Sequence, residues 1–294
     1  NKTKTGDNAK VSPQLTGLVT WIEGEIIDVE QKPKKTMIQL QMINKIKSIA
    51  LDDELISSIL MYGSFIKDEG DQYSDIEFYI FFSEDFDHQK WVNQINKTML
   101  YFINEHGTEV AIFENLIRGE FHFHHISERK VIQTWEGLTS FEYHQNMILV
   151  DKDGVLTKLL EPISKERPQH NSQESIDWIS MSLVNQLLMT QGLLKRGELA
   201  HAQMSFQSIQ KYLLWLIRIE IGDERHWESP TKRAELEITE SWYSEYAKCT
   251  PSLNEKSLFE CFEHTLYVLT NSFKRITIST DLKLLLTRIN KNQN

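Results

Sequence analysis

The run Asp-Ile-Glu-Phe-Tyr-Ile-Phe-Phe at residues 75–82 constrains this chain more than any other feature. Ile, Tyr and Phe in succession suit a pleated, mostly buried strand. Asp75 and Glu77 open that strand at positions i and i+2, so both side chains point to one face. Two carboxylates side by side repel each other, and the arrangement is costly unless a cation or solvent offsets the charge. With reference pKa values of about 4, both are ionised at neutral pH. The strand therefore begins on a charged site.

That site has a phosphate-binding complement upstream. Residues 57–61 (Ser-Ser-Ile-Leu-Met) form a short apolar run leading into Tyr62-Gly63-Ser64, which reads as a buried strand entering a turn. Gly63 permits close backbone approach, and backbone N–H groups with the Ser64 hydroxyl can donate to phosphate oxygens. Adjacent carboxylates beside a phosphate-sized pocket suit Mg²⁺, which takes one or two carboxylates plus substrate phosphates. A strand delivering Gly63 and Ser64, a polar loop over 67–74 and a strand delivering Asp75 and Glu77 would bring triphosphate and metal together. A further acid is needed to accept a proton from an incoming hydroxyl. Glu120 is the strongest candidate because residues 120–124 (Glu-Phe-His-Phe-His) alternate strictly. Phe121 and Phe123 take one face, while Glu120, His122 and His124 take the other. Glu109 and Glu114 are rivals for the role. Arg118 can pair with phosphate or with the acidic cluster. His122, His124 and His125 lack further ligands at zinc-site spacing, so a polar wall of the site is the better reading, and for His125 a solvated strand face.

The rest of the chain divides by periodicity. Residues 37–50 predict an amphipathic helix, and 88–104 return to helical spacing with Gly107 as a helix stop. Residues 108–113 and 146–150 read as strands, the latter closed by a turn at 151–154. Beyond about 155, helical stretches at 172–196, 198–221, 232–247 and 254–273 precede a shorter last one, with breaks at Gly197, Gly222 and Pro251. The expected class is α+β: a mixed sheet with flanking helices at 37–155, then an all-α helical bundle at 156–294. Residues 1–36 stand apart as an extension of unassigned role, in which 18–29 are apolar enough for one strand or a short helix.

The formal net charge of -10 disfavours a chain whose main task is to grip a nucleic-acid backbone, and it fits a small, even cationic, substrate better. No stretch approaches the roughly 20 apolar residues that span a bilayer, and no secretory signal pattern opens the chain. Cys249 and Cys261 alone make neither a disulfide framework nor a zinc site, so the cytoplasm is the expected compartment.

Three segments carry a family resemblance: 61–65 (Met-Tyr-Gly-Ser-Phe), 73–81 (Tyr-Ser-Asp-Ile-Glu-Phe-Tyr-Ile-Phe) and 116–123 (Leu-Ile-Arg-Gly-Glu-Phe-His-Phe). Together they resemble the larger, two-domain lincosamide nucleotidyltransferases, within the superfamily that shares the DNA polymerase β-like nucleotidyltransferase fold. The resemblance runs from about Met37 to the C-terminus and includes Leu194-Lys195-Arg196-Gly197-Glu198. It implies transfer of AMP from ATP to a hydroxyl of lincomycin or clindamycin, with Mg²⁺ as cofactor. Asp75 and Glu77 would be the metal ligands, Gly63 and Ser64 the phosphate contacts, Arg118 a nucleotide contact and Glu120 the general base. The helical region would complete the drug pocket, and a homodimer is expected. The alternatives are a relative acting on an aminoglycoside or another hydroxylated small molecule, and a catalytically silent nucleotide-binding module of the same fold.

Overall fold

The computed structural model describes residues 37–136 and 141–291; the expectations for 1–36 lie outside them. Six strands, β1 (Ile56–Tyr62), β2 (Ile76–Phe82), β3 (Thr98–Ile103), β4 (Glu109–Phe113), β5 (Arg118–His125) and β6 (Ile148–Asp151), form one mixed sheet in the order β3-β4-β5-β2-β1-β6. Helices α1 (Ile38–Asp52), α2 (His88–Asn93), α3 (His144–Met147) and α4 (Val155–Leu160) flank it. Six further helices follow: α5 (Gln173–Lys195), α6 (Leu199–Ile221), α7 (Ala234–Glu237), α8 (Glu240–Lys248), α9 (Glu255–Arg275) and α10 (Thr280–Lys291). The α+β class read from the sequence is the class observed.

Strand alternation sorts the sheet residues between two cores. Ile59, Phe78, Ile80 and Phe121 pack beneath α1 and α2 with Met42, Ile43, Ile46 and Trp91. Leu60 and Phe81 face the opposite way and pack on Ile132, Leu156, Leu160 and Ile163. The sheet is therefore covered on both sides, which is why residues 76–82 read as a continuous apolar run. A third core, built from Leu183, Leu187, Phe206, Leu213, Phe262 and Leu269 among others, holds the helices from α5 onward. Because α4 packs on the sheet, we propose the division between the regions after Ile163 rather than at 155.

Two expected helices are corrected. Residues 88–104 split into α2 and the edge strand β3, which pairs antiparallel with β4. The turn between them is built by Asn104, whose side chain accepts from the backbone N–H groups of His106 and Thr108, and by Gly107 at φ +79°. Gly107 thus supplies the left-handed residue of a hairpin, not a helix stop. The stretch 232–247 breaks at Ile238 between α7 and α8, where the Thr239 side chain accepts from Trp242 N–H and starts a new helix. Cys249 and Cys261 are both buried free thiols.

Candidate active site

Pairing register assembles the site. Tyr62 lies opposite Glu77 on the antiparallel β1–β2 pair, and Glu77 lies opposite Glu120 on the parallel β2–β5 pair. Directly opposed residues project to the same face, so Tyr62, Glu77 and Glu120 form one row across three strands. The next row inward holds Leu60, Tyr79 and His122, with Tyr79 stacked on the His122 ring at 4.2 Å. Glu109 stands opposite Phe121 and so faces away, engaged by His88 and Tyr101, while Glu114 pairs with Lys97. Both rivals of Glu120 are therefore remote from the row.

Arg118, at the start of β5, donates from Nη1 to Asp75 Oδ2 at 2.7 Å and from Nη2 to Glu120 Oε1. Of the two partners open to it in the sequence, phosphate and the acidic cluster, it here takes the second and bridges two of the three acids. Gly119 keeps this end of β5 in place, because a Cβ there would meet the Phe121 ring at 2.7 Å. The Tyr62 hydroxyl donates to Glu120 Oε2 at 3.2 Å and lies 2.9 Å from His122 Nε2, a pairing in which the imidazole N–H donates to the phenol oxygen. Burial, reinforced by Glu77 and Glu120, pushes the Tyr62 phenol far above its usual range, so it remains a proton donor. Burial also outweighs the pull of Glu120 to hold His122 below the ordinary imidazole value, which keeps it neutral.

Glu77 is strongly perturbed upward. Burial, then the charges of Asp75 and Glu120, push it up to about 7 despite Arg118 and Lys232. Among the described residues its carboxylate takes part in no hydrogen bond, whereas Asp75 and Glu120 are both engaged. Gly63 explains how a carboxylate fits there. Its φ is +84°, and a Cβ on it would stand 1.6 Å from Glu77 Oε2. The bare glycine leaves the space that the Glu77 head group occupies. Beside it in sequence, the Ser64 hydroxyl is buried without a hydrogen-bond partner. An unpaired hydroxyl next to an underneutralised carboxylate fits a bound phosphate and its cation. No group of three or more His, Cys, Asp or Glu among the described residues forms a metal-binding set. The residues thus fit a two-carboxylate Mg²⁺ site completed by phosphate oxygens, not an all-protein cage.

The helical region closes over this row. Glu69, in the loop between Ser64 and Asp75, pairs with His226 Nε2 at 3.0 Å and Lys232 Nζ at 2.8 Å. His226 in turn meets Glu237, which is held by the wholly buried Arg218. A cleft of about 430 Å³ lies between Tyr62, Gly63, Glu77 and Tyr79 on the sheet and Glu228 and Ser229 on the helical side. Asp75 and Arg118 line a second cavity of about 480 Å³. The sequence alone assigns no role to Tyr62, Glu69 or Lys232. Tyr62 had a signal, since it directly precedes Gly63; Lys232 lies more than 150 residues from Glu77 in the chain and had none.

Residues 172–294 match the family described as "Lincosamide nucleotidyltransferase-like, C-terminal domain". No curated protein sequence matches the chain. Among solved structures, an aminoglycoside 6-adenyltransferase from Bacillus subtilis aligns at 14% identity over 87% of this chain and 97% of its own, with a TM-score of 0.36. A nucleotidyltransferase-like protein from Exiguobacterium sibiricum 255-15 aligns at 14% identity over 80% and 77%, with a TM-score of 0.35. At those scores neither superposition carries an argument about this chain. The matched region contributes Glu228 and Ser229 to the cleft, and Lys232 to the ion pair with Glu69. None of the helices among the described residues is long and apolar enough to cross a membrane.

Proposed function

We propose that this chain is a Mg²⁺-dependent nucleotidyltransferase that moves AMP from ATP to a hydroxyl of a lincosamide antibiotic. The observation that carries the reading is the row Tyr62–Glu77–Glu120 with Gly63 packed against Glu77. Asp75 and Glu77 are the residues that would hold the ion, which when bound supplies charge neutralisation at the phosphates. The Ser64 hydroxyl and the backbone around Gly63 bind phosphate oxygens, and Lys232 adds a cation from the helical side. Glu120, oriented by Tyr62 and Arg118, takes the proton from the acceptor hydroxyl. The freed oxygen bonds to the α-phosphorus as the bond to the bridging oxygen breaks, and pyrophosphate leaves. Two cavities, one lined by Glu77 and the other by Asp75, give nucleotide and acceptor separate entries to one centre. A homodimer is part of the proposal, supported by exposed Leu188, Met189 and Met204 on α5 and α6.

The acceptor class is tested by incubating the protein with MgATP and a panel of lincomycin, clindamycin and several aminoglycosides, followed by mass spectrometry. An AMP adduct on the lincosamides alone is expected; adducts confined to aminoglycosides would move the assignment to that class.

Gly63→Ala tests the close approach. The left-handed backbone costs a non-glycine residue about 1–2 kcal/mol, and the added methyl must push the Glu77 carboxylate aside. A displacement on the order of 1 Å at a catalytic group lowers turnover roughly 100-fold. We expect kcat to fall by that order with the protein still folded. A variant with wild-type kcat would show that Glu77 need not stand where it does.

A further inference from the structure

Away from the carboxylate row, the helical region bears an open cavity of about 780 Å³ at the start of α5 and the end of α6. Its walls are aromatic and fixed. Trp215 stacks on Trp227 at 5.0 Å and 13°, and its indole N–H donates to the Trp227 carbonyl at 2.8 Å. Trp227 stacks in turn on His170 at 4.0 Å, and the His170 backbone N–H donates to Glu224 at 2.7 Å. Trp178 leans on Trp215 and Tyr212 and keeps 53% of its surface open. These rings are held in place before any ligand arrives.

Apart from His170, which is paired with Glu224, the ionisable side chains lining the cavity are both carboxylates. Glu174 and Asp177 line it from positions one helical turn apart on α5, on the side that carries Trp178. No Lys or Arg lines it. Glu174, in the first turn of α5, offsets the partial positive charge of the helix start, so Asp177 leaves a surplus of negative charge. Phosphates and carboxylates are repelled by such walls. A bare metal ion finds no third protein ligand among the described residues. An ammonium group is attracted twice, by the carboxylates and by the electron-rich indole faces. The protein already shows that attraction: Lys211 Nζ sits 4.6 Å above the Trp215 ring.

We propose that this cavity is a binding site for an organic cation, a protonated or quaternary amine carrying an apolar chain. The ammonium rests between Trp178 and the Glu174/Asp177 pair, and the chain lies along Trp215 and Met181. The site adjoins the catalytic cleft, because Trp227 lines the cavity while the next residue, Glu228, lines the cleft. Binding here needs neither nucleotide nor metal, so it stands apart from the proposed transfer reaction.

The test uses three probes of one chain length: hexyltrimethylammonium, 1-hexanol and hexyl sulfonate. Each is titrated into the purified protein by calorimetry, with tryptophan fluorescence as a second readout. Saturable binding of the cation is expected, with at least tenfold weaker binding of the alcohol and none of the sulfonate. Trp178→Ala, at an exposed position, should weaken the cation about tenfold, as should the pair Glu174→Gln with Asp177→Asn, while circular dichroism stays unchanged. Equal binding of cation and alcohol, no saturable binding of the cation, or wild-type affinity in Trp178→Ala would overturn the proposal. Glu77→Gln should leave the cation affinity intact, which separates this site from the catalytic reading. In active protein, competition between the cation and the acceptor places an amine of the acceptor in the cavity; binding without competition assigns it to a second molecule.

Discussion

Glu77→Gln should abolish turnover and at the same time make the protein without ligands more stable at pH 8. The sign follows from the direction of the perturbation. Burial, with Asp75 and Glu120 close by, raises the folded-state value of Glu77 from 4.5 to about 7. A group shifted upward on folding binds its proton more tightly in the folded state. Its favourable contribution is complete below the unfolded value and is lost as pH rises through the folded one. Wild-type stability should therefore decline between about pH 4.5 and pH 7 relative to the glutamine variant, which has no proton there to lose. After allowance for partial solvent access, the gap at pH 8 should be about 2 kcal/mol, or several degrees in Tm. Adding ATP with Mg²⁺ should reverse the order, since only the wild type gains the bound cation. Melting curves for both proteins at pH 5 and pH 8, with and without MgATP, read all of this. A variant less stable than wild type at pH 8 without ligands would mean that Glu77 is a satisfied structural carboxylate.

Arg218→Met should have the largest effect on folding. The side chain is completely buried, yet it donates to the carbonyls of Pro230 and Lys232, to Asp223 at the edge of range, and to the Glu237 carboxylate. It ties the segment between α6 and α7 to itself and neutralises a carboxylate that is only 6% exposed. Methionine fills much of the volume but leaves three carbonyls without a donor and removes the fully buried cation from Glu237, which keeps only Arg225, Arg233 and His226. Breaking one side of such a buried pair costs about 3–5 kcal/mol. The effect should also reach the site. Released backbone at 223–233 frees His226 and Lys232 from Glu69, and Glu228 and Ser229 from the cleft. Hydrogen exchange should accelerate in that segment first, and KM for nucleotide should rise as Lys232 leaves. Exchange that speeds up evenly over the whole chain would show that Arg218 supports the fold without positioning the segment.

The sequence displays the site in pieces. The alternation of Phe121 and Phe123 against Glu120, His122 and His124 is legible because strand geometry has a period of two, and the two faces do separate as that period requires. The apolar run at 76–82 is legible as a buried strand for the same reason. Adjacency across strands is a different matter. Nothing local to Glu77 says that Tyr62 and Glu120 are its neighbours, since that depends on a parallel pairing between β2 and β5. The contribution of Lys232 depends on how the helical region packs, which no spacing encodes. The misread helix at 88–104 has a specific cause: Trp91, Val92, Ile95, Met99 and Phe102 fall at helical intervals. Met99 and Phe102 are exposed on an edge strand, so their spacing reflects no buried face. Arg118 is legible as a residue that pairs with phosphate or with the acidic cluster, and the structure shows the second, with Asp75 and Glu120 as the two carboxylates.

The central claim is that the row Tyr62–Glu77–Glu120 transfers a nucleotidyl group. Its most direct test is a single reaction followed by two readouts: the wild-type chain with MgATP and lincomycin, assayed for acceptor mass and for pyrophosphate. The account predicts that lincomycin gains one AMP residue, that one pyrophosphate appears per adduct, and that Glu120→Gln loses both signals while still binding MgATP. Binding of MgATP with neither adduct nor pyrophosphate from any hydroxylated acceptor would contradict it.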